Sequence, residues 1–213
     1  VALGFVDYTS LETRRHFCEE ELRLNRRLAP LIYLDVCVIS GSPDEPCFLR
    51  GGEAIEYAVK MVQFDPQDLF DQALGLGRLK PAHIDTLAHA LAVFHQGATP
   101  ARPVSRYGDA DEVWAALVAC VRRLQAQNSV SPRQIASLKA WCQPEYARLR
   151  EGFSRRKAQG FVRECHGDLH LGNLVLWDGE PLAFDGIEFN ETLRWIDVIS
   201  DLAFLIMDFS AHE

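Results

Sequence analysis

The polar and apolar positions at the N-terminal end of the chain follow the pattern of an amphipathic helix. Apolar residues recur at Phe17, Leu24 and Leu28, a spacing that places them on one side of a helix. Ser10 is a residue type that caps helix starts, and Pro30 cannot continue a helical pattern. The sequence therefore predicts one helix between Ser10 and Pro30.

The pattern then changes twice. The segments LIYLDVCVIS and EAIEYAVKMVQF are rich in β-branched and aromatic residues, and a Gly-Ser-Pro turn follows the first of them, so both are predicted as antiparallel strands. After Asp65-Pro66 the apolar spacing becomes helical, and a bend or restart is expected at Pro144. The predicted helices cover residues 66–79, 81–96, about 111–127 and 131–153.

Short apolar runs return towards the C-terminal end. VREC, LVLW and PLAF predict short strands, and the Asp-Gly turn between the last two predicts a hairpin. Residues 192–209 have the pattern of one long final helix. The fold class expected from this order is α+β, with a small lobe of antiparallel strands and one helix in residues 1–64. Residues 65–213 then form a larger, mainly helical lobe that carries the hairpin.

Composition narrows the classes of function. The chain of 213 residues is 48% hydrophobic and has a formal net charge of −8, so we expect a globular core and no nucleic-acid partner. No apolar run reaches the ~20 residues that cross a bilayer, so no membrane partner is expected. The six Cys lie mostly among apolar neighbours without metal-ligand spacing, which indicates buried thiols in a reducing, cytoplasmic compartment.

The candidate chemistry lies in residues 166–190, HGDLHLGNLVLWDGEPLAFDGIEFN, where acids and amides flank the hairpin. The hairpin folds the chain back on itself, which returns Asp185 close to Asn173, and Asp168 lies in the loop before them. Two carboxylates and one amide oxygen are hard ligands of the kind that Mg²⁺ prefers. We therefore expect these three side chains to converge.

The same spacing is typical of phosphoryl transfer. In that chemistry a loop Asp accepts the proton of the attacking hydroxyl, an Asn a few residues later holds metal, and an Asp on the next strand joins the metal to the nucleotide phosphates. Asp168, Asn173 and Asp185 take these places, with the order FDG instead of DFG.

HGDLHLGN, FDGIEF and WIDVISDLAF resemble the motifs of the aminoglycoside phosphotransferase family, and the likeness covers nearly the whole chain. It implies a two-lobed, protein-kinase-like fold that uses Mg²⁺ and ATP or GTP. It also implies transfer of the γ-phosphoryl group to a hydroxyl of a small molecule. The chain is similar in particular to bacterial proteins in which such a domain precedes a P-loop kinase-like half, so a downstream P-loop domain is an expected partner. We interpret both ends as cut edges of a longer protein.

The resemblance implies roles for single residues. Asp168 is similar to the catalytic base, and His166 is similar to the residue that braces the catalytic loop. Asn173 and Asp185 are similar to the metal ligands. Glu20 would be the acid that pairs with the phosphate-anchoring lysine of the family.

The nucleotide pocket is implied in the same way. Val62, Gln63 and Phe64 would line the adenine site, and the anchoring lysine strand would precede Val1. Lys60 is expected to be an exposed strand residue rather than a substitute for that lysine.

Alternatives remain open from the residues alone. His166, Asp168 and His170 form an H-x-D-x-H pattern that could bind a transition metal such as zinc. The domain could also be a kinase-like binding or regulatory module without turnover. Asp201, in DLAF, is expected to brace the loop from the final helix. The acceptor itself is not identified by any motif between residues 81 and 160.

Overall fold

The computed structural model describes residues 7–48, 52–127 and 130–212. Its first elements form a three-stranded antiparallel sheet with one helix packed against the last of these strands. Ser10 Oγ accepts a hydrogen bond from the Thr13 N–H over 3.0 Å, which caps this helix. The predicted helix and two strands are confirmed, and a short strand is added between them. The elements are α1 (Leu11–Asn25), β1 (Tyr33–Gly41), β2 (Pro46–Cys47) and β3 (Ala54–Met61), in the sheet order β2-β1-β3.

Helices dominate the middle of the chain, as predicted. They are α2 (Phe70–Gly75), α3 (Pro81–Gly97), α4 (Ala110–Ala126) and α5 (Pro132–Ala158). The alternative of a restart at Pro144 is wrong, because α5 continues as one helix through that residue, while the alternative of a bend stays a prediction. Pro144 removes one backbone donor, but α5 packs against α4, and tertiary packing stabilises the helix.

Two small antiparallel sheets carry the functional segment. β5 (Leu174–Trp177) and β6 (Glu180–Ala183) form the predicted hairpin. β4 (Val162–Glu164) pairs with a strand that the sequence did not show, β7 (Trp195–Asp197).

The long final helix predicted for residues 192–209 is therefore wrong in its first half. It divides into α6 (Glu191–Arg194), β7 and α7 (Val198–Ala211). Asp197 ends the strand and starts α7, because its Oδ1 accepts the Ile199 N–H over 2.9 Å.

Two apolar clusters hold the chain together. One lies among α2, α3, α7 and the hairpin, and includes Phe70, Leu91, Leu174 and Leu205. The other joins β1 and β3 to the opposite side of the hairpin through Tyr33 and Val175. The hairpin is thus packed from both sides, which fixes the residues at its ends. Among the described residues, no helix combines the length and apolarity needed to cross a bilayer.

Candidate active site

The loop that carries Asp168 is held from below by Asp201 of α7. The Asp201 carboxylate accepts the His166 N–H at 3.2 Å and the Gly167 N–H at 2.8 Å, and His95 Nε2 lies 2.9 Å from it. Asp201 is 2% exposed, so these contacts form away from water, where each is strong and costly to lose. Asp201 therefore lies where a brace for the loop was expected.

His166 packs inside the same loop. Its Nε2 lies 2.9 Å from the Phe184 carbonyl oxygen, and its Nδ1 accepts the Asp168 N–H at 3.3 Å. Burial lowers the pKa of His166, and the Asp201 charge opposes that effect without cancelling it. A neutral ring with an Nε2–H that donates to Phe184 satisfies both contacts. This geometry suits the bracing role and leaves neither nitrogen free for the H-x-D-x-H zinc alternative.

The backbone at Gly167 has a left-handed conformation, with φ +87°. A Cβ at this position would lie 2.8 Å from the Leu193 carbonyl oxygen, so only glycine fits between the loop and α6. The tight approach fixes the direction in which the next residue, Asp168, leaves the loop.

Asn173 contacts the side chain of Asp168 and the backbone of Asp185. Its Nδ2 donates to the Asp168 carbonyl at 3.1 Å and to Asp168 Oδ2 at 3.2 Å, and it lies 3.5 Å from the Asp185 carbonyl. The pairing of Leu174 with Ala183 produces this closeness, because both strands end at the same edge. Asn173 therefore lies between Asp168 and the backbone of Asp185, while the convergence of the three side chains on a metal ion and the roles assigned to them stay predictions.

Asp185 is held in an uncommon backbone conformation. Its φ is +62°, and its N–H donates to Tyr33 Oη at 3.1 Å, across from the N-terminal sheet. The next residue, Gly186, donates its N–H to Asn25 Oδ1 at 2.7 Å. Contacts from α1 and β1 therefore fix the FDG segment, and the exposed Asp185 carboxylate faces outward.

These residues fit a hard divalent cation. The Asn173 amide nitrogen is engaged by Asp168, which leaves the amide oxygen without a donor among the described residues. The Asp185 carboxylate likewise accepts no hydrogen bond there, and two such oxygens match the ligand set of Mg²⁺ with phosphate and water.

Glu20 has two arginine partners among the described residues, and its pairing with an anchoring lysine stays a prediction. Its carboxylate pairs with Arg23 at 2.8 Å and approaches Arg194 at 3.5 Å. The neighbouring Glu21 occupies the position near the site, since it interacts electrostatically with Asp185 and Glu188. Phe17, Glu21, Leu24 and Leu28 follow the i, i+4, i+7 spacing of one helix face, which was the missed signal.

Burial is the main reason why the pKa of Glu21 is raised to about 7, and the charges of Glu188 and Asp185 add to it. The pKa of Glu188 is raised too, first by burial, although Tyr8 Oη donates to it at 3.4 Å. Glu21 is therefore a half-buried acid whose ionisation the chain does not favour.

Replacing Glu21 by Gln tests this. The folded-state pKa of Glu21 lies above the ordinary value of 4.5, so ionisation of Glu21 opposes folding. The stability that the protonated carboxyl contributes is therefore lost as the pH rises from 4.5 through about 7. Relative to the wild type, Glu21→Gln is expected to gain about 1 kcal/mol between pH 4.5 and pH 8, because solvent screens part of the shift. Urea unfolding with a metal chelator measures the gain. Glu19→Gln, at an exposed position of the same helix, should show no such trend.

A partly buried ion network connects α1 to the strand before the Asp168 loop. Glu164, which ends β4, accepts hydrogen bonds from Arg23 at 2.8 and 3.1 Å and from Arg194 at 3.2 Å. Arg27 donates to the Glu164 carbonyl at 2.7 Å and to the Cys165 carbonyl at 3.1 Å. Burial raises the pKa of Glu164, but the hydrogen bond and charge of Arg23, with Arg27 and Arg194, outweigh it and hold that pKa below its ordinary value.

Glu164→Gln is expected to destabilise the fold by about 2 kcal/mol at pH 7, because three guanidinium groups lose their shared anion. A lowered pKa contributes stability above the ordinary value of 4.5, and that contribution is lost as the pH falls through the folded-state value. Unfolding curves should therefore converge for the two proteins in acid. A constant difference down to pH 3 would assign the effect to packing rather than to charge.

The predicted adenine-lining residues follow β3 directly. Val62 donates its N–H to the Ile32 carbonyl at 2.8 Å, and the Phe64 ring meets Phe184 edge to face with centroids 5.2 Å apart. Gln63 is exposed. Lys60 is exposed too, as the sequence predicted. The segment lies beside the hairpin, and its contact with a nucleotide stays a prediction.

A further group of potential ligands is buried under the loop. His95, Cys165 and Asp201 bring their ligand atoms within 4.8 Å of one another. Asp201 already accepts two backbone N–H groups, and Cys165 Sγ donates to the Ile196 carbonyl at 3.4 Å. Burial raises the pKa of the Cys165 thiol, which disfavours the thiolate that binds metal. The group is explained by its hydrogen bonds.

Fold and site together define a protein of the kinase-like phosphotransferase class. An antiparallel sheet with one helix meets a helical part at a hairpin, and Asp168, Asn173 and Asp185 lie in the segments that flank its open end. The profile of the phosphotransferase enzyme family matches residues 16–213, and the chain belongs to that family.

Similar proteins occur in mycobacteria. The uncharacterized proteins Rv2004c of Mycobacterium tuberculosis and Mb2027c of Mycobacterium bovis are each 32% identical over 212 residues, which are 98% of this chain. The same stretch is 41% of each relative, so the chain spans less than half of their length. No solved structure gives a significant match.

Proposed function

We propose that this chain carries the active site of a Mg²⁺-dependent phosphotransferase. The γ-phosphoryl group of ATP or GTP would pass to a hydroxyl of a small molecule. The observation that supports this proposal most strongly is the position of the Asn173 amide, which donates to Asp168 and lies beside the Asp185 carbonyl. Residues 1–64 would contribute the nucleotide side and residues 65–213 the catalytic loop, although residues 1–6, 49–51, 128–129 and 213 lie outside the described part.

Asp168 would orient the acceptor and receive its proton. Its side chain is 40% exposed, so an incoming hydroxyl can reach it, and the Asn173 hydrogen bond holds the carboxylate in one direction. His170 Nε2 lies 3.6 Å from the same carboxylate, too far for a firm hydrogen bond. Positioning of the hydroxyl and stabilisation of developing charge then supply the rate acceleration.

The amide oxygen of Asn173 and the carboxylate of Asp185 would hold Mg²⁺. When bound, the ion supplies neutralisation of the nucleotide phosphates and of the charge that develops on the transferred group. Tyr33 and Asn25 keep Asp185 and Gly186 in place through the two backbone contacts described above.

Asp185→Asn tests the metal assignment. Asn tolerates the left-handed backbone at this position better than other residues, so the substitution removes charge with little strain. Calorimetry is expected to show nucleotide binding to the wild type that Mg²⁺ tightens, and at least about a tenfold loss of that Mg²⁺ effect in the variant. Equal Mg²⁺ dependence in both proteins would contradict the role of Asp185. Tight nucleotide binding without any turnover would instead favour a regulatory module.

A further inference from the structure

A cavity with a volume of about 730 Å³ lies between the 105–108 segment, α4 and the β4–β7 sheet. Aromatic and aliphatic groups form much of its wall, and the rings of Tyr107 and Trp195 stack there with centroids 5.7 Å and planes 11° apart. The volume falls within the range of small-molecule sites, which are mostly apolar with a few polar groups.

The charges along this cavity are already matched. Glu112 pairs with Arg106, and Asp197 accepts two hydrogen bonds from Arg156 at 2.6 and 2.8 Å. These are the two acidic residues of its described lining. A polycationic ligand would find both carboxylates already engaged by guanidinium groups, whereas an uncharged apolar ligand needs no free carboxylate.

The wall of the cavity adjoins the catalytic loop. Leu193 belongs to the lining, and its carbonyl oxygen makes the close approach to Gly167, one residue before Asp168. The Cys165 N–H donates to the Arg194 carbonyl at 2.8 Å, which ties the same wall to the end of β4. A ligand in the cavity therefore lies along the segment that positions the proposed base.

We infer that the cavity receives the apolar body of the acceptor, and that the acceptor class is uncharged aromatic alcohols rather than polycationic amino sugars. The inference rests on the proposed function. The hydroxyl oxygen would bond to the γ-phosphorus as the bond from that phosphorus to the β–γ bridging oxygen breaks. The hydroxyl proton passes to Asp168, and the nucleoside diphosphate leaves.

Calorimetry with naphthylethanol, an uncharged aromatic alcohol, tests the cavity. Ala116 is an exposed lining residue of α4, so Ala116→Phe narrows the cavity without entering a packed core. Ala119, equally exposed on α4 but outside the lining, gives the matched control Ala119→Phe. Naphthylethanol is expected to bind the wild type and the control alike, and Ala116→Phe at least about tenfold more weakly. Equal affinity in all three proteins, or no binding at millimolar concentration, would overturn the inference.

Spermine serves as the polycationic probe. Spermine is expected neither to bind in the cavity nor to displace naphthylethanol from it. Displacement would contradict the inference that the acceptors are uncharged aromatic alcohols. These titrations contain no nucleotide and no Mg²⁺, so they succeed or fail independently of turnover. If the chain phosphorylated an amino sugar but no aromatic alcohol, the proposed function would stand and this inference would fall.

Discussion

Asp168→Asn is expected to lower kcat by about three orders of magnitude while nucleotide affinity changes little. The amide is nearly isosteric and can keep the contact with Asn173, but it cannot take the proton of the acceptor hydroxyl. Removal of a positioned general base costs about 10²–10⁴ in rate. Steady-state phosphoryl transfer to an identified acceptor measures kcat, and calorimetry measures the nucleotide affinity.

The control for this substitution is Asp178→Asn. Asp178 lies at the exposed turn of the hairpin with φ 49°, a conformation that Asn adopts readily. The substitution removes the same charge from the hairpin that follows the Asp168 loop and should leave kcat unchanged. If Asp168→Asn turned over as fast as Asp178→Asn, the proposed role of Asp168 would be lost.

Asp201→Ala is expected to destabilise the fold by about 3 kcal/mol, because it strands buried donors of His166 and Gly167 and breaks the contact with His95. Urea unfolding at pH 7 measures the loss. Activity should fall with it, since the loop before Asp168 has no other carboxylate beneath it among the contacts described.

Asp208→Ala offers a graded comparison on the same helix. Asp208 accepts one loop N–H, from Leu171 at 2.8 Å, and its side chain is 26% exposed. One partly exposed contact is worth about 1 kcal/mol. If the two substitutions cost the same, the number of buried donors would not explain the stability of the loop.

Much of the site could be predicted because it is local. Two strands joined by a tight turn leave no choice about which residues meet at their ends, so Asn173 and Asp185 follow from the hairpin alone. Asn25 and Tyr33 were missed because their partners lie 161 and 152 positions away along the chain. No periodicity reports such contacts.

One point that the sequence left unsettled and one that it predicted wrongly have physical causes too. Glu20 and Glu21 differ by about 100° around the helix axis, and either can border an apolar stripe until the packing partner is known. The β7 segment looked helical because its apolar spacing suits a helix. The segment forms a strand instead, because it pairs with β4, which lies more than 30 positions earlier in the chain.

The Glu164 network has a consequence for which parts of the N-terminal sheet and helix can move. Arg23 and Arg27 tie the last turns of α1 to the strand that leads into the catalytic loop, so the helix and the loop should shift as one block. Motion of the proposed nucleotide side is then left to β2 and the turn between β1 and β2, because Tyr33 ties the start of β1 to Asp185. Amide exchange should accordingly be fast along β2 and slow in the C-terminal half of α1, so the edge of the sheet would be mobile while the helix and the strand before the Asp168 loop stay fixed relative to each other.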